Sequence, residues 1–122
     1  MNFSVMLKEL REKRGYTQEE LGSLLNLSKN AISHYENSTN SPSLETVERI
    51  ADIFDVSVDY LIGRTKNNIP YSKLSQKLNN NTTLADIIEQ IAALDKTHCS
   101  TLVNLISYTC FHNTVCNKTK KQ

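Results

Sequence analysis

Apolar residues recur at spacings of three and four along most of this chain of 122 residues, which is the period of an amphipathic helix. Residues that break helices are few, since the chain has three glycines and two prolines. The pattern therefore predicts an all-α protein. A first helix is predicted from about Phe3 to Arg14, with Gly15 as a left-handed cap at its end.

A second, short helix is predicted directly after this cap. Thr17 and Glu20 have the spacing of a capping box, in which each side chain accepts a hydrogen bond from the backbone N–H of the other residue. The helix that follows is expected to turn Leu21, Leu24 and Leu25 toward the core.

Three more helices are predicted before the composition changes. Asn26 stands where a sharp turn needs a positive φ, which Asn tolerates better than most residues. Ser28 then caps a third helix over residues 29–37, and Ser43 caps a fourth. A short fifth helix, residues 58–62, closes the unit near residue 65.

The change in composition after the fifth helix predicts a boundary. Residues 1–66 are expected to form one domain. Residues 67–82 are rich in Asn, Ser, Lys and Gln and are interpreted as a linker, in which residues 71–78 have room for a helical turn or two. Residues 83–122 are the C-terminal segment.

The C-terminal segment is predicted to form a short helical hairpin, with a disordered basic tail from Asn117. Thr83 and Asp86 resemble a second capping box, and Asp95 can begin the next helix. The apolar stripes are too long for two helices alone in water, so we expect the hairpin to pair with its copy in a homodimer. The alternative is that it packs on the first domain of its own chain. The residues expected at the dimer interface are Leu84, Ile87, Ile88, Ile91, Leu102, Val103, Leu105 and Ile106.

Two short helices joined by a tight turn within a five-helix unit are typical of the helix-turn-helix motif, which binds DNA. The stretches LKELREKRGYTQEELGSLLNLSKNAISHYEN and SPSLETVERIADIFDVSVDYLIGRT closely resemble the phage-repressor and Cro-like family, also called the Xre family. The resemblance covers roughly the first half of the chain. It implies a repressor-like domain whose third helix enters the major groove of double-stranded DNA.

The resemblance also implies which residues read base pairs. They lie in the first turns of the third helix, where side chains meet base edges: Ser28, Lys29, Asn30, Ser33 and His34. Lys29 has the chemistry to donate to guanine, and Asn30 to bond adenine through both amide atoms. The alternative for each is an ordinary exposed helix residue. Ala31, Ile32 and Tyr35 are interpreted as packing residues.

A second group is expected to contact phosphates, which positions a protein on DNA without reading its sequence. Its members lie in the first helix, at the start of the second and in the loop after the third: Arg11, Thr17, Gln18, Asn37, Thr39, Asn40 and Ser43. The resemblance further implies that Gln18 braces the third helix and that Arg11 pairs with Glu36. We interpret Glu36 as structural, because an acidic group that faces DNA would be repelled.

Two features depart from the family pattern. Gly22 stands where Ala is usual in the second helix, at a cost of about 1 kcal/mol of helix propensity. Asn26 and Ser38 stand where Gly is common at turns. These departures bear on stability and loop shape rather than on the class of protein.

The distribution of charge does not follow the pattern typical of DNA-binding proteins. The net charge is +1, but residues 1–66 hold eight basic and ten acidic side chains, a net of −2, and residues 67–122 hold six and three, a net of +3. The half expected to bind DNA is therefore the acidic one. This predicts modest non-specific affinity and a greater reliance on specific contacts and dimerisation.

Other chemistries receive little support from the sequence. Cys99, Cys110 and Cys116, with His98 and His112 nearby, offer soft metal ligands, but their spacing matches no zinc pattern, and no cofactor is expected. No nucleophile and base converge, so we do not expect an enzyme. The chain lacks an apolar run of membrane-spanning length and a signal-peptide pattern, so a cytoplasmic protein is predicted.

The sequence therefore predicts a sequence-specific transcription regulator, a repressor that acts as a homodimer on a palindromic operator. The alternative is an antitoxin that binds a toxin and regulates its own operon. The C-terminal segment is too short for a ligand-binding or self-cleaving domain. Control is therefore expected through a protein partner, either an antagonist or a toxin, or through synthesis and turnover of the protein.

Overall fold

The computed structural model describes residues 2–120, with side chains up to residue 114. Within that part the chain is helical without a β-strand, which confirms the predicted all-α class. The helices are α1 (Phe3–Lys13), α2 (Gln18–Leu25), α3 (Lys29–Glu36), α4 (Leu44–Phe54), α5 (Val58–Leu61), α6 (Tyr71–Leu74), α7 (Leu84–Ala92) and α8 (Lys96–Lys120). A first compact unit extends to Gln76 and a second begins at Lys77.

The helices of the first unit begin at side-chain caps that the sequence encodes locally. Thr17 and Glu20 form the predicted capping box, with Glu20 N to Thr17 Oγ1 at 3.1 Å and Thr17 N to Glu20 Oε2 at 2.8 Å. Ser28 and Ser43 cap α3 and α4 as predicted. Each such cap is worth about 1 kcal/mol of helix stability.

The turns between helices need positive φ at several positions. Gly15 (φ 73°) and Asn26 (φ 57°) adopt it as predicted. Ser38 (φ 59°) also adopts it, at a position where the family commonly has Gly. Asp55 (φ 52°), at the end of α4, is a further left-handed residue that the sequence did not indicate.

The helices α1 to α5 together enclose one apolar core. Six of its side chains are almost completely inaccessible to solvent: Leu7, Leu21, Leu25, Ile32, Ile50 and Leu61. The prediction that Leu24 faces inward is wrong, because 48% of its surface is exposed. Leu21 and Leu25 are one helical turn apart and share the buried face of α2, whereas Leu24 is rotated by about 100° from Leu25.

Gly22 is buried in α2 for a reason that the sequence does not reveal. A Cβ atom at this position would lie 2.7 Å from the carbonyl oxygen of Leu27 and 3.3 Å from the backbone of Ser28. The turn between α2 and α3 therefore packs directly on the glycine backbone. The propensity cost expected of Gly22 is therefore accompanied by a steric reason for glycine at this position.

The first compact unit extends ten residues beyond the domain end predicted at Lys66. Pro70 is buried, α6 supplies the helical turn anticipated in this stretch, and Ser72 Oγ donates to Asp55 Oδ1 at 3.1 Å. The first part of the predicted linker thus folds onto the unit that contains α4.

The second unit contains α7 and α8. Thr83 and Asp86 form the predicted capping box of α7, and Asp95 Oδ1 accepts the backbone N–H of His98 at the start of α8. Helix α8 continues to Lys120, beyond Asn117, where a disordered tail was expected; the last two residues lie outside the described ones. None of residues 77–114 is buried. No helix of the described chain is long and apolar enough to cross a membrane.

Candidate DNA-recognition surface

Helix α3 turns one face to the core and the other to solvent. Ile32 and Tyr35 are buried, and Ala31 is half-buried, in agreement with their interpretation as packing residues. Lys29, Asn30 and His34 lie on the exposed side of the same helix. The first two turns of α3 therefore present three polar side chains to an external ligand.

The two serines among the residues predicted to contact bases already form hydrogen bonds within the domain. Ser28 Oγ accepts the backbone N–H of Ala31 at 3.1 Å, and Ser33 is half-buried with its Oγ 3.3 Å from Asn37 Nδ2. In both contacts the serine oxygen accepts, so its O–H remains available to donate. Ser28 is exposed at the helix start, whereas Ser33 is less accessible.

Arg11 and Glu36 meet where α1 crosses the end of α3. Arg11 Nε donates to Glu36 Oε1 at 2.5 Å and Arg11 Nη2 to Glu36 Oε2 at 3.2 Å, a two-point contact. The side chain of Glu36 is only 3% exposed. The hydrogen bond to Glu36 raises the pKa of Arg11 above its ordinary value, and the charge of Glu36 adds to the effect.

The same cluster includes the start of α2. Gln18 Nε2 donates to Glu36 Oε2 at 2.9 Å, and Arg11 Nη1 donates to the carbonyl oxygen of Tyr16 at 2.8 Å. Glu36 thereby links α1, α2 and α3. The guanidinium of Arg11 balances its charge inside the domain, and the neutral amide of Gln18 adds a hydrogen bond. The amide of Gln18 keeps a second N–H for a further acceptor.

The remaining residues predicted to contact phosphate are exposed. Thr17 Oγ1 is the acceptor in the α2 capping box, so its O–H is free to donate outward. In the loop after α3, the backbone N–H groups of Thr39 and Asn40 both donate to the carbonyl oxygen of His34. Ser43 lies within 2.9 Å of Thr46 Oγ1. Asn37, the fifth of these residues, is the C-cap of α3.

The loop after α3 is anchored by a contact that the sequence does not indicate. Ser38 Oγ donates to Ser4 Oγ at 2.8 Å, and Ser4 is a buried polar residue of α1. Two serines 34 positions apart carry no sequence signal of contact. Their hydrogen bond ties the left-handed turn after α3 to the first helix.

The cysteine-rich C-terminal stretch does not assemble a metal site in the described part of the chain, where no group of three or more His, Cys, Asp or Glu side chains is placed to hold an ion. Cys99 and Cys110 are free thiols. The side chain of Cys116 lies outside the described residues.

Comparison with known proteins identifies the class to which the first unit belongs. The helix-turn-helix family model matches residues 7–61. The chain is 33% identical over 91 residues to the HTH-type transcriptional regulator ImmR of Bacillus subtilis (strain 168), covering 75% of this chain and 68% of that protein. It is 37% identical over 76 residues to the cryptic phage CTXphi transcriptional repressor RstR of Vibrio cholerae, covering 62% and 68%.

The fold of a solved protein is also similar. A transcriptional regulator from Listeria innocua superposes with a TM-score of 0.52 over 88% of this chain and 91% of that one, at 20% identity. Because the chain is 33% identical to ImmR over 68% of that protein, it belongs to the Xre family of helix-turn-helix proteins, and it is a DNA-binding transcriptional regulator. This is a family of regulators rather than of enzymes.

Proposed function

We propose that this regulator is a sequence-specific repressor that binds a palindromic operator in the cytoplasm as a homodimer. The observation that carries the proposal is the bracing of α3. Its last residue, Glu36, is held by Arg11 and Gln18 from two other helices, while Lys29 and Asn30 stay exposed. A rigid helix with an accessible polar face suits the reading of base edges.

In the proposed complex the N-terminal half of α3 lies in the major groove. Lys29 and Asn30 contact base edges together with His34, and Ser28 donates its hydroxyl at the helix start. Ser33 contributes less, since it is half-buried and already bonded to Asn37. Direct readout is thus concentrated at the first turn of α3.

The phosphate contacts are proposed to flank this helix on both sides. Thr17 and the second amide N–H of Gln18 serve one side, and the loop residues Asn37, Thr39, Asn40 and Ser43 serve the other. Arg11 has a smaller part, because three of its N–H groups are directed at Glu36 and Tyr16. Its positive charge still offsets that of Glu36 near the DNA.

Dimerisation is proposed to come from the second unit. Among the residues predicted for this role, Leu84, Ile87, Ile91 and Leu102 are half-buried, and Ile88, Val103, Leu105 and Ile106 are 45–58% exposed. Helices without a buried core of their own gain stability by covering such side chains with a second copy. Two linked domains then read two half-sites about one turn of DNA apart.

A protein antagonist is proposed to act on the same residues. Any partner that covers the apolar side chains of α7 and α8 would compete with the second copy. The regulator would then lose the gain in affinity that a dimer obtains by binding two half-sites at once.

Selection of bound sequences from random duplex DNA tests the function directly. We expect an inverted repeat whose half-sites are separated by about 10 base pairs centre to centre. Ile106→Asp should produce a monomer that binds this operator far more weakly. Asn104→Asp, which adds the same charge at an exposed polar position about 160° around α8 from Ile106, is the matched control. An enriched single, asymmetric site, or a monomeric wild-type protein, would refute the homodimer.

A further inference from the structure

A groove lies on the first unit between the second half of α4, the start of α5 and the segment that leads into α6. Its volume is about 660 Å³. Most of its lining is apolar and consists of buried or half-buried side chains: Ala51, Val56, Val58, Ile69, Pro70 and Leu74. None of the described residues that are proposed to contact DNA lines it. This α4–α6 groove is therefore a separate surface from the one proposed to read DNA.

Within the described chain, the charged residues that line the groove are all acidic. They are Glu48 and Asp52 of α4 and Asp55 at its C-cap, and all three are exposed. The ion pairs among the described side chains involve other carboxylates, and the neutral hydroxyl of Ser72 leaves the charge of Asp55 unbalanced. The negative end of the α4 dipole lies at the same place. Carboxylates beside a low-dielectric surface concentrate negative potential, so the groove attracts a cationic ligand.

Tyr71 adds an exposed aromatic ring to this surface. It is the first residue of α6, it lines the groove, and it is 81% exposed. Aromatic side chains are enriched at protein interfaces, where a few of them contribute much of the binding energy. The groove thus combines an apolar lining, an aromatic ring and a negative charge, and an occupant needs apolar side chains together with basic ones.

The lining also determines which class of occupant fits. The three carboxylates repel nucleic acids and anionic membrane surfaces. A small-molecule site encloses most of its ligand, whereas Tyr71 and the carboxylates remain exposed, so the groove covers only one side of an occupant. An extended peptide pairs its backbone with a strand edge, but helices and a loop form the walls of this groove. The remaining mode is an amphipathic helix that lays its apolar face in the groove.

We propose that the α4–α6 groove binds a basic amphipathic helix of another protein. The apolar face of that helix packs on the groove and on the ring of Tyr71, and its Lys or Arg side chains pair with Glu48, Asp52 and Asp55. Because the groove is separate from the residues proposed to contact DNA, this partner can bind a regulator that already occupies its operator. The groove belongs wholly to the first unit, so the inference does not depend on the proposed homodimer.

The test uses two synthetic helical peptides and the full chain. The lysine peptide has leucine on one face and lysine on the other, and the glutamate peptide has glutamate in place of lysine. Nuclear magnetic resonance of the isotope-labelled protein should show signal changes at the residues of the groove with the lysine peptide and none with the glutamate peptide. Octylamine, a small apolar cation, should bind at least about tenfold more weakly than the lysine peptide, because it covers little of the groove.

Three variants locate the binding within the first unit. Asp52→Lys should weaken binding of the lysine peptide by at least about tenfold, and Tyr71→Ala by about fivefold or more. Both side chains are exposed, so the fold should be kept, and circular dichroism verifies this. Glu45→Lys is the matched control and should have a much smaller effect, because Glu45 lies on the same face of α4, about 10 Å from Asp52 and outside the groove. Tyr71→Ala should bind operator DNA as the wild type does.

Several outcomes would overturn the proposal. They are the absence of signal changes at the groove, and equally tight binding of the glutamate peptide or of octylamine. Equal losses in Asp52→Lys and Glu45→Lys would show that the peptide binds the acidic side of α4 in general. Loss of operator binding in Tyr71→Ala would show that the groove belongs to the DNA-binding surface. A wild-type chain that binds the lysine peptide at the groove but no operator overturns the proposed function and leaves this inference standing.

Discussion

Glu36, at the end of α3, is held by Arg11 of α1 through two hydrogen bonds of 2.5 and 3.2 Å, although the residues are 25 positions apart. The carboxylate is 3% exposed and the Arg11 side chain 12%. A nearly buried ion pair contributes little net stability, because desolvation offsets attraction, but loss of one member leaves the other charge without a partner. The intact pair therefore fixes the position of α3 against α1, and removal of one member alone is expected to be costly.

Glu36→Ala is expected to destabilise the first unit by about 3 kcal/mol, because it leaves the Arg11 guanidinium and the Gln18 amide without their acceptor. Urea unfolding followed by circular dichroism measures the change. Arg11→Met combined with Glu36→Leu should recover much of the loss, since both charges are then removed. Glu12→Ala is the control: Glu12 is 56% exposed and 3.8 Å from Arg11, and its loss should cost less than about 0.5 kcal/mol. Equal losses of stability in Glu36→Ala and Glu12→Ala would contradict the role of Glu36 in holding α3 in place.

Lys29→Ala and Asn30→Ala are each expected to cost about 1–3 kcal/mol of operator binding and to relax preference at one or two base pairs. Titration against the selected operator and its single-base variants measures both effects. Lys73→Ala removes an exposed charge from α6 and should leave sequence preference unchanged. Unchanged selectivity in both α3 variants would show that α3 does not read the bases.

Operator binding is also expected to weaken as the salt concentration rises. Phosphate contacts release counterions from DNA, so the logarithm of the affinity falls linearly with the logarithm of the salt concentration. The few basic residues of the first unit predict a shallower slope than a strongly cationic domain would give. An affinity independent of salt would contradict contact between phosphates and the basic side chains of the first unit, because neutral donors such as Thr17 and Asn40 release few counterions.

Gly22→Ala is expected to destabilise the domain by about 1–2 kcal/mol, although alanine is the better helix former. The new Cβ would lie 2.7 Å from the carbonyl oxygen of Leu27, and a backbone atom in a turn cannot move aside cheaply. Thermal unfolding compares this variant with Ser23→Ala, at the next, exposed position of α2. A higher melting temperature for Gly22→Ala than for the wild type would show that propensity outweighs the contact.

The helix starts of the second unit should respond to acid. The pKa of Asp86 is lowered by hydrogen bonds from Thr83, and that of Asp95 by hydrogen bonds from His98. Each carboxyl has a lower pKa in the folded protein than in the unfolded chain. The ionised carboxylate therefore stabilises the fold above pH 3.8, the ordinary pKa of Asp, and this stabilisation is lost as the pH falls through the pKa of the folded protein. The helicity of the full chain should therefore decrease in the wild type as the pH falls below 3.8. In Asp86→Ala and Asp95→Ala it should decrease less, when each variant is compared with its own helicity at neutral pH. Acid titrations that superimpose would contradict these caps.

Local features of the molecule could be predicted from the sequence, whereas contacts between helices could not. The caps at Thr17, Ser28 and Thr83 and the turn at Asn26 were predicted correctly, because each depends on residues at most four positions apart. The class of protein followed from the order of such signals along the first half of the chain.

The sequence by itself determined where most helices begin, which side of α3 faces the core and which family the chain resembles. Only the tertiary structure decided that Glu36 joins Arg11 and Gln18, that Ser38 bonds to Ser4, and that the backbone of Leu27 packs on Gly22. Capping and periodicity are local interactions that one segment specifies. These contacts instead arise when separate helices pack against a shared core, so their partners are set by three-dimensional packing rather than by spacing along the chain.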